Sequence, residues 1–125
     1  MQNTQPEAAA KTQPRDEFFW ISTINKATVV VNRAEGLLDD ATARLAARGI
    51  RAVEEAAAVD PTKRVKKYIA YEPLLIAATS PEVTLIHAGR SSQDILSTMR
   101  MALDWEEAAQ IAGALDDVIA KILDL

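Results

Sequence analysis

The sequence predicts an all-α protein, and three observations support that prediction. Alanine, the best helix former, is abundant, whereas aromatic residues make up only 5% of the chain. The 125 residues include four glycines and five prolines, so long stretches carry no helix breaker. Apolar residues recur at intervals of three and four, as on one face of a helix. We expect one domain, or a part of one, with a single core.

The first helix is predicted to follow a polar N-terminal arm. Residues 1–14 contain no apolar stretch, so we expect a disordered or extended arm without a secretory signal. Asp16 is a suitable cap for the start of the helix, and Gly36 suits the position just beyond its end. The spacing predicts that the apolar face of this helix comprises Trp20, Ile24, Ala27, Val31 and Ala34.

A second helix is predicted in the middle of the chain. An aspartate cap, either Asp39 or Asp40, is expected to begin it, and it should run to about Val59. Asp60 and Pro61 end it, because proline cannot continue the hydrogen-bonded ladder and restricts the residue before it.

Three shorter segments are predicted to follow. The basic residues 62–67 are expected to form a solvated linker, since a short basic run in an acidic chain makes a poor nucleic-acid patch. A short helix is predicted over 72–79, with Pro73 tolerated in its first turn. Residues 82–90 are expected to form a loop or a short extended piece.

The last element is predicted to be one helix from about Ser92 to Leu125, interrupted by no proline. Such a helix would be about 50 Å long, whereas a compact domain of this size is about 36 Å across. We therefore expect it to pack in an oligomer, or in a longer bundle protein of which this chain is the truncated front portion. The contacting seam would follow the intervals 3, 4, 3, 4, 3, namely Ala108, Ile111, Leu115, Val118, Ile122 and Leu125.

Composition and charge exclude several classes of protein. The net charge of −4 argues against a nucleic-acid partner. The absence of cysteine excludes disulfides and thiolate metal sites, and a single histidine without ligand-spaced neighbours predicts no metal. No apolar run is long enough for a membrane span. We expect a cytoplasmic protein without a cofactor, organised as the arm 1–14, a helical region over 15–91 and the start of a bundle helix over 92–125.

The richest chemistry lies in the polar segment, His87–Asp94, which reads His-Ala-Gly-Arg-Ser-Ser-Gln-Asp. One interpretation is structural: Ser91 and Asp94 have the spacing of a capping box, and a lone histidine often only hydrogen-bonds a loop. The other is functional, because side-chain donors beside free backbone N–H groups at a helix N-terminus form an anion site. The candidate substrate-binding residues are His87, Arg90, Ser91, Ser92, Gln93 and Asp94, and no catalytic residue is identified.

The polar segment, followed by Ile-Leu-Ser-Thr, resembles the first signature region of the fumarase/aspartase superfamily. Its best match is the argininosuccinate lyase branch, whose motif reads roughly His-Thr-x-Arg-Ser-Arg-Asn-Asp. Asn25-Lys-Ala and residues 32–38 resemble the first helix of that branch and its Gly-Leu-Leu turn, and residues 71–75 stand where the family has the helix before the motif. The resemblance covers about residues 16–125, nearly this whole chain but only the N-terminal part of the family's length.

Three positions depart from the motif of that branch. Ala88 replaces its threonine, Ser92 its second arginine and Gln93 its asparagine. Ser-Ser-Gln-Asp is also similar to the Thr-Ser-Gln-Asp of the cycloisomerase branch. The departures concern the identity of the substrate rather than the lyase class.

The resemblance implies a homotetrameric bundle of long helices that eliminates an amine or hydroxyl β to a carboxylate and releases fumarate or a similar acid. For argininosuccinate lyases this is a step of arginine biosynthesis. It also implies that Ser91, Ser92, Gln93 and Asp94 bind the carboxylates of a dicarboxylate-type substrate. The catalytic histidine and serine of the family belong to two further signature regions, which this chain does not contain, so we expect it to be inactive alone. The alternative is a non-catalytic helical oligomerisation module or a truncated paralogue.

Overall fold

Four α-helices and two 3₁₀ segments build the structure, a computed structural model that describes residues 15–124. No strand occurs in this part of the chain, which confirms the all-α prediction. The predicted arm, residues 1–14, and Leu125 lie outside the described residues. The helices are α1 (Glu17–Ala34), α2 (Asp40–Val59), α3 (Tyr68–Ala78) and α4 (Ser92–Leu123), and the 3₁₀ segments are Pro61–Lys63 and Pro81–His87.

Side-chain caps set the starts of the first two helices, as predicted. The Asp16 carboxylate accepts a hydrogen bond from the Phe19 N–H at 3.0 Å, and the Asp39 carboxylate accepts one from the Thr42 N–H at 2.7 Å. Gly36 follows the end of α1 with φ +73°, a left-handed conformation that glycine adopts without strain. The predicted starts and ends of these two helices are therefore confirmed to within two residues.

The apolar face predicted for α1 is wrong. Ala27, Val31 and Ala34 are exposed, and Trp20 and Ile24 are only partly buried. Apolar residues occur on most sides of this helix, so their spacing is compatible with more than one buried face. The buried face combines three apolar and three polar side chains: Phe18, Ile21, Ser22, Asn25, Val29 and Asn32.

Two polar side chains on the buried face of α1, Ser22 and Asn32, are hydrogen-bonded to later parts of the chain. The hydroxyls of Ser22 and Tyr71 lie 2.8 Å apart, and Asn32 Nδ2 donates to the Ile86 carbonyl at 3.1 Å. Burial of a polar group costs little when it keeps a hydrogen bond. These pairs join α1 to α3 and to the second 3₁₀ segment.

Two segments between α2 and α4 differ from the prediction. Helix α3 starts at Tyr68, four residues earlier than expected, so that Pro73 falls at its sixth residue instead of its first turn. Packing explains the longer helix, since Tyr68 and Tyr71 are buried. The expected loop or extended piece over 82–90 is instead largely a 3₁₀ helix, which buries Val83.

The basic linker is not fully solvated, which corrects another expectation. Arg64 donates to both carboxylate oxygens of Asp16, at 2.9 Å and 2.6 Å. Its guanidinium also lies 4.8 Å from the centre of the Phe18 ring. Burial raises the pKa of Asp16, but hydrogen bonds from Arg64 and from the Phe19 N–H outweigh burial, and the net result is a lowered pKa. Arg64 therefore ties the linker to the start of α1.

Helix α4 divides into a packed half and an exposed half. Ile95 and Met99 are buried against the other helices, whereas every residue from Glu107 to Asp124 is exposed. We call residues 107–123 the overhang; at about 1.5 Å per residue it is about 25 Å long. Most of the predicted seam, including Ile111 (71% exposed), lies on it, so the extension of the helix beyond the globule is confirmed. The lyase-type bundle remains a prediction.

None of the helices within residues 15–124 is both long enough and apolar enough to span a membrane.

Candidate functional site

The polar segment joins the second 3₁₀ segment to the N-terminus of α4. Gly89 has φ +73°, which permits the sharp change of direction between the two helices. The Arg90 N–H donates to the His87 carbonyl at 3.0 Å and closes the turn. The chain therefore presents Ser91–Asp94 as the cap and first turn of a helix of 32 residues.

Ser91 and Asp94 form the predicted capping box. The Asp94 carboxylate accepts from the Ser91 N–H at 2.8 Å, and Ser91 Oγ accepts from the Asp94 N–H at 3.4 Å. The hydrogen bond from the Ser91 N–H is the main reason that the pKa of Asp94 is lowered. The structural interpretation of these two residues is confirmed, and their binding of substrate stays a prediction.

Arg90 points into the protein. Its guanidinium donates to Asn25 Oδ1 at 2.9 Å, to Thr28 Oγ1, and to His87 Nδ1 at 2.9 Å. Asn25 is fully buried on α1. These contacts occupy the outer nitrogens of Arg90, so the side chain anchors the polar segment to α1.

His87 is enclosed by aromatic and charged groups. Its Nε2 lies 2.6 Å from the Tyr68 hydroxyl and 3.8 Å from the Glu72 carboxylate. Burial, and then the charge of Arg90, lower the pKa of His87 from 6.5 to about 4, so the ring is neutral at pH 7. Since Arg90 donates to Nδ1, we assign the ring proton to Nε2, from which it is donated to Tyr68.

Ser92 and Gln93 are the candidate residues whose side chains have no partner in the described part of the chain. Both are exposed, and neither side chain makes a hydrogen bond within the described part of the chain. They are also the first two residues of α4, whose backbone N–H groups lack carbonyl partners inside the helix. The six candidates thus fall into three pairs: two anchors (His87 and Arg90), two cap residues (Ser91 and Asp94) and two free donors (Ser92 and Gln93).

The sequence reasoning missed the partners of the polar segment. Asn25 and Thr28 lie more than 60 residues before Arg90. The sequence pointed to Asn25 only through the resemblance of Asn25-Lys-Ala, and it predicted no contact of either residue with Arg90. Tyr68 belongs to no predicted element, since it lies between the linker over 62–67 and the short helix predicted over 72–79. Its hydroxyl contacts His87, and burial first and Glu72 second raise the pKa of Tyr68 to about 12.

A cavity of about 570 Å³, which we call the α3/α4 cavity, opens beside the polar segment. It lies between the N-terminal turns of α3 and α4. A larger groove between α1 and α2 touches none of the six candidates. The residues that line the α3/α4 cavity are Lys67, Tyr68, Ile69, Glu72, Ser92, Leu96 and Arg100.

No metal-binding arrangement is present within residues 15–124, since nowhere in that range do three or more His, Asp or Glu side chains gather suitably.

Comparisons of this chain with protein-family models, with curated proteins and with solved structures found no match.

Proposed function

We propose that this chain is the N-terminal portion of an argininosuccinate lyase-like enzyme, which eliminates an amine β to a carboxylate and releases fumarate or a related unsaturated acid. One observation carries the proposal: the polar segment that resembles the family's first signature region presents two free donors, Ser92 and Gln93, at the N-terminus of a long helix. In this view the protein assembles as a homotetramer in the cytoplasm and serves arginine biosynthesis.

The elimination needs donors for a developing negative charge. A base removes the Cβ proton, and the electron pair left on carbon delocalises into the neighbouring carboxylate before the bond to nitrogen breaks. Hydrogen-bond donors fixed beside that carboxylate stabilise the intermediate. The Ser92 hydroxyl, the Gln93 amide and the first N–H groups of α4 would supply them, while the capping box holds the turn in place.

His87 and Arg90 would position the donors without contacting the reacting atoms. Arg90 is bound to Asn25, and His87 is neutral and hydrogen-bonded to Tyr68. The base and the acid that protonates the leaving amine are therefore assigned to other signature regions. This division is the reason that we expect no activity from the chain alone.

Mixed assembly tests the proposal. The tagged chain would be refolded together with a full-length argininosuccinate lyase whose own first signature region has been disabled, and fumarate release would be followed by ultraviolet absorbance. We expect no activity from either protein alone and measurable activity from the mixture. Activity of this chain alone would overturn its assignment as an incomplete enzyme, and co-purification without activity would overturn the substrate-binding role.

A pair of variants sharpens the assay. Removal of a donor to a developing charge lowers the rate by about a hundredfold when the contact is close, so Gln93→Ala should abolish most of the activity of the mixture. Gln110→Ala, an exposed glutamine on the same helix, is the matched control and should leave the rate unchanged. Equal losses in both variants would contradict a specific role for Gln93.

The overhang favours a second candidate function, a non-catalytic module that associates through α4. Its apolar side chains Ile111, Leu115 and Ile122 are more than half exposed, and monomeric proteins seldom leave such a row uncovered. Sedimentation velocity over a range of concentrations tests this candidate. We expect reversible association, and a monomer at every concentration would exclude it.

A further inference from the structure

The α3/α4 cavity carries two cationic side chains without anionic partners. Lys67 and Arg100 both line it, and neither makes a salt bridge or a side-chain hydrogen bond within residues 15–124. Several other cations of the chain are paired with carboxylates, for example Arg33 with Asp40 at 2.6 Å. Two unpaired positive charges on one concave surface attract a small anion.

Hydroxyl groups and helix ends add donors to the same cavity. Ser92 brings its hydroxyl, and Tyr68 lies at the wall. Lys67 is the N-cap of α3, but its side chain does not cap that helix, and the first turn of α3 holds no acidic residue. The positive ends of α3 and α4 therefore both border the cavity, where they favour negative charge.

The other lining residues limit what kind of anion fits. Ile69 and Leu96 give the cavity apolar surface beside its charges, which suits a short hydrocarbon chain better than water. Glu72 contributes one negative charge and opposes binding of an anion. With Lys67 and Arg100 against Glu72, the side-chain charge of the lining is +1.

We propose that the α3/α4 cavity binds a small carboxylate-bearing anion, with Lys67 and Arg100 supplying the attraction and Ser92 a hydrogen bond. The inference stands on the charges of the cavity and holds whether or not the chain belongs to a lyase. It adds Lys67 and Arg100 to the residues of functional interest, neither of which lies in the polar segment.

Titration of the amide NMR spectrum with succinate tests the inference. We expect saturable shifts at Tyr68, Ile69 and Ser92 and none on α2. Raising the ionic strength to about 1 M, where the Debye length is about 3 Å, should weaken binding. Inorganic phosphate is the second probe and should bind less tightly than succinate. Tighter binding of phosphate would overturn the carboxylate assignment, and absent or surface-wide shifts would overturn the site.

Substitutions of the charged residues that line the cavity should change the affinity for succinate in opposite directions. Lys67→Met and Arg100→Gln should each weaken succinate binding about fivefold, as expected for the loss of an exposed charge contact. Glu72→Gln should strengthen it by a similar factor, because it removes the opposing charge. Arg48→Gln, an exposed cation on α2 outside the cavity, is the control and should leave affinity unchanged.

The comparison of Arg48→Gln with Arg100→Gln decides between this inference and a general effect of net charge. Arg48→Gln and Arg100→Gln change the net charge equally, so equal weakening by both would overturn the cavity as the site. All four side chains are at least partly exposed, and circular dichroism of each variant checks that the helices persist. This experiment measures succinate binding and not fumarate release. Its failure would therefore not contradict the lyase proposal, which the mixed-assembly assay tests separately.

Discussion

Helix α1 buries polar side chains, whereas the overhang of α4 exposes apolar ones, and both depart from the usual arrangement of a folded protein. Helix α1 buries Ser22 and Asn25 at 1% and 0% exposure, whereas the overhang leaves Ile111 and Leu123 exposed at 71% and 79%. Both arrangements cost free energy unless something compensates. In α1 hydrogen bonds compensate in part: Ser22 contacts Tyr71 and Asn25 Oδ1 accepts from Arg90, while Asn25 Nδ2 has no partner in the described chain. In the overhang the described chain supplies no compensation.

The difference separates two tasks within one small protein. The polar groups of α1 reach across the core and fix the turn on which the polar segment lies, so the core serves as a support for that segment. Every residue of the overhang is exposed, and no hydrogen bond or ion pair joins it to another element of the described chain, so burial of its apolar side chains requires another molecule. A test of this comparison should therefore find stability effects in one region and association effects in the other.

The largest expected effect comes from truncating matched isoleucines on the two halves of α4. Ile95→Ala should lower the free energy of unfolding by about 3 kcal/mol, because Ile95 is 1% exposed and its loss leaves a cavity. Ile111→Ala should change it by less than about 0.5 kcal/mol. Urea unfolding at low protein concentration measures both. Similar losses would mean that the overhang packs within the monomer.

The second prediction concerns the buried polar face. Asn25→Ala should lower the free energy of unfolding by about 2 kcal/mol, because it removes an acceptor from the half-buried guanidinium of Arg90. Val31→Ala is the control, since Val31 lies on the same helix and is 55% exposed; its effect should stay within about 0.5 kcal/mol. If the two variants lose equal stability, the polar face is not a specific anchor.

The third prediction is a dependence of stability on pH. The pKa of His87 falls from 6.5 to about 4 in the folded protein, chiefly through burial. The unfolded chain therefore binds a proton first, and stability should decline as the pH falls from about 6.5 to about 4. His87 is the only histidine, so urea unfolding at several pH values isolates it. His87→Gln should remove most of the decline above about pH 5, and an unchanged profile would contradict the assignment.

Local hydrogen bonds made part of the fold predictable from sequence. The caps Asp16, Asp39 and Ser91 bond to N–H groups three residues away, so a short window of sequence contains both partners. The same locality explains why the capping box was predicted correctly.

Contacts between distant residues explain what the sequence did not predict. The bond from Arg64 to Asp16 spans 48 residues, and the bond from Arg90 to Asn25 spans 65. The spacing of residues within one helix does not identify partners that lie so far away in the sequence. For this reason the sequence predicted a solvated linker and the wrong buried face for α1. It did not predict that Arg90 points into the protein. The exposure of Ser92 and Gln93 follows from their place in the first turn of the capped helix, so it could be predicted from the sequence.

The smallest expected effect comes from two glycines in helix interiors. In the overhang, a Cβ added at Gly113 meets nothing within 4 Å, whereas at Gly49 it would lie 2.8 Å from Thr79 Cγ2. Gly113→Ala should stabilise the helix by about 0.5–1 kcal/mol through propensity alone. Gly49→Ala should lose that gain to the collision with Thr79 and destabilise the core by roughly 1 kcal/mol.

Gly113 also reports on what covers the overhang. Circular dichroism and thermal unfolding of Gly113→Ala should show higher helicity, because in the described chain the position is open. If another helix approaches closely at Gly113, the same methyl group would weaken association in sedimentation while helicity still rises. A rise in helicity with unchanged association would place the contact surface on the larger side chains, Ile111, Leu115 and Val118, which face solvent in the isolated chain.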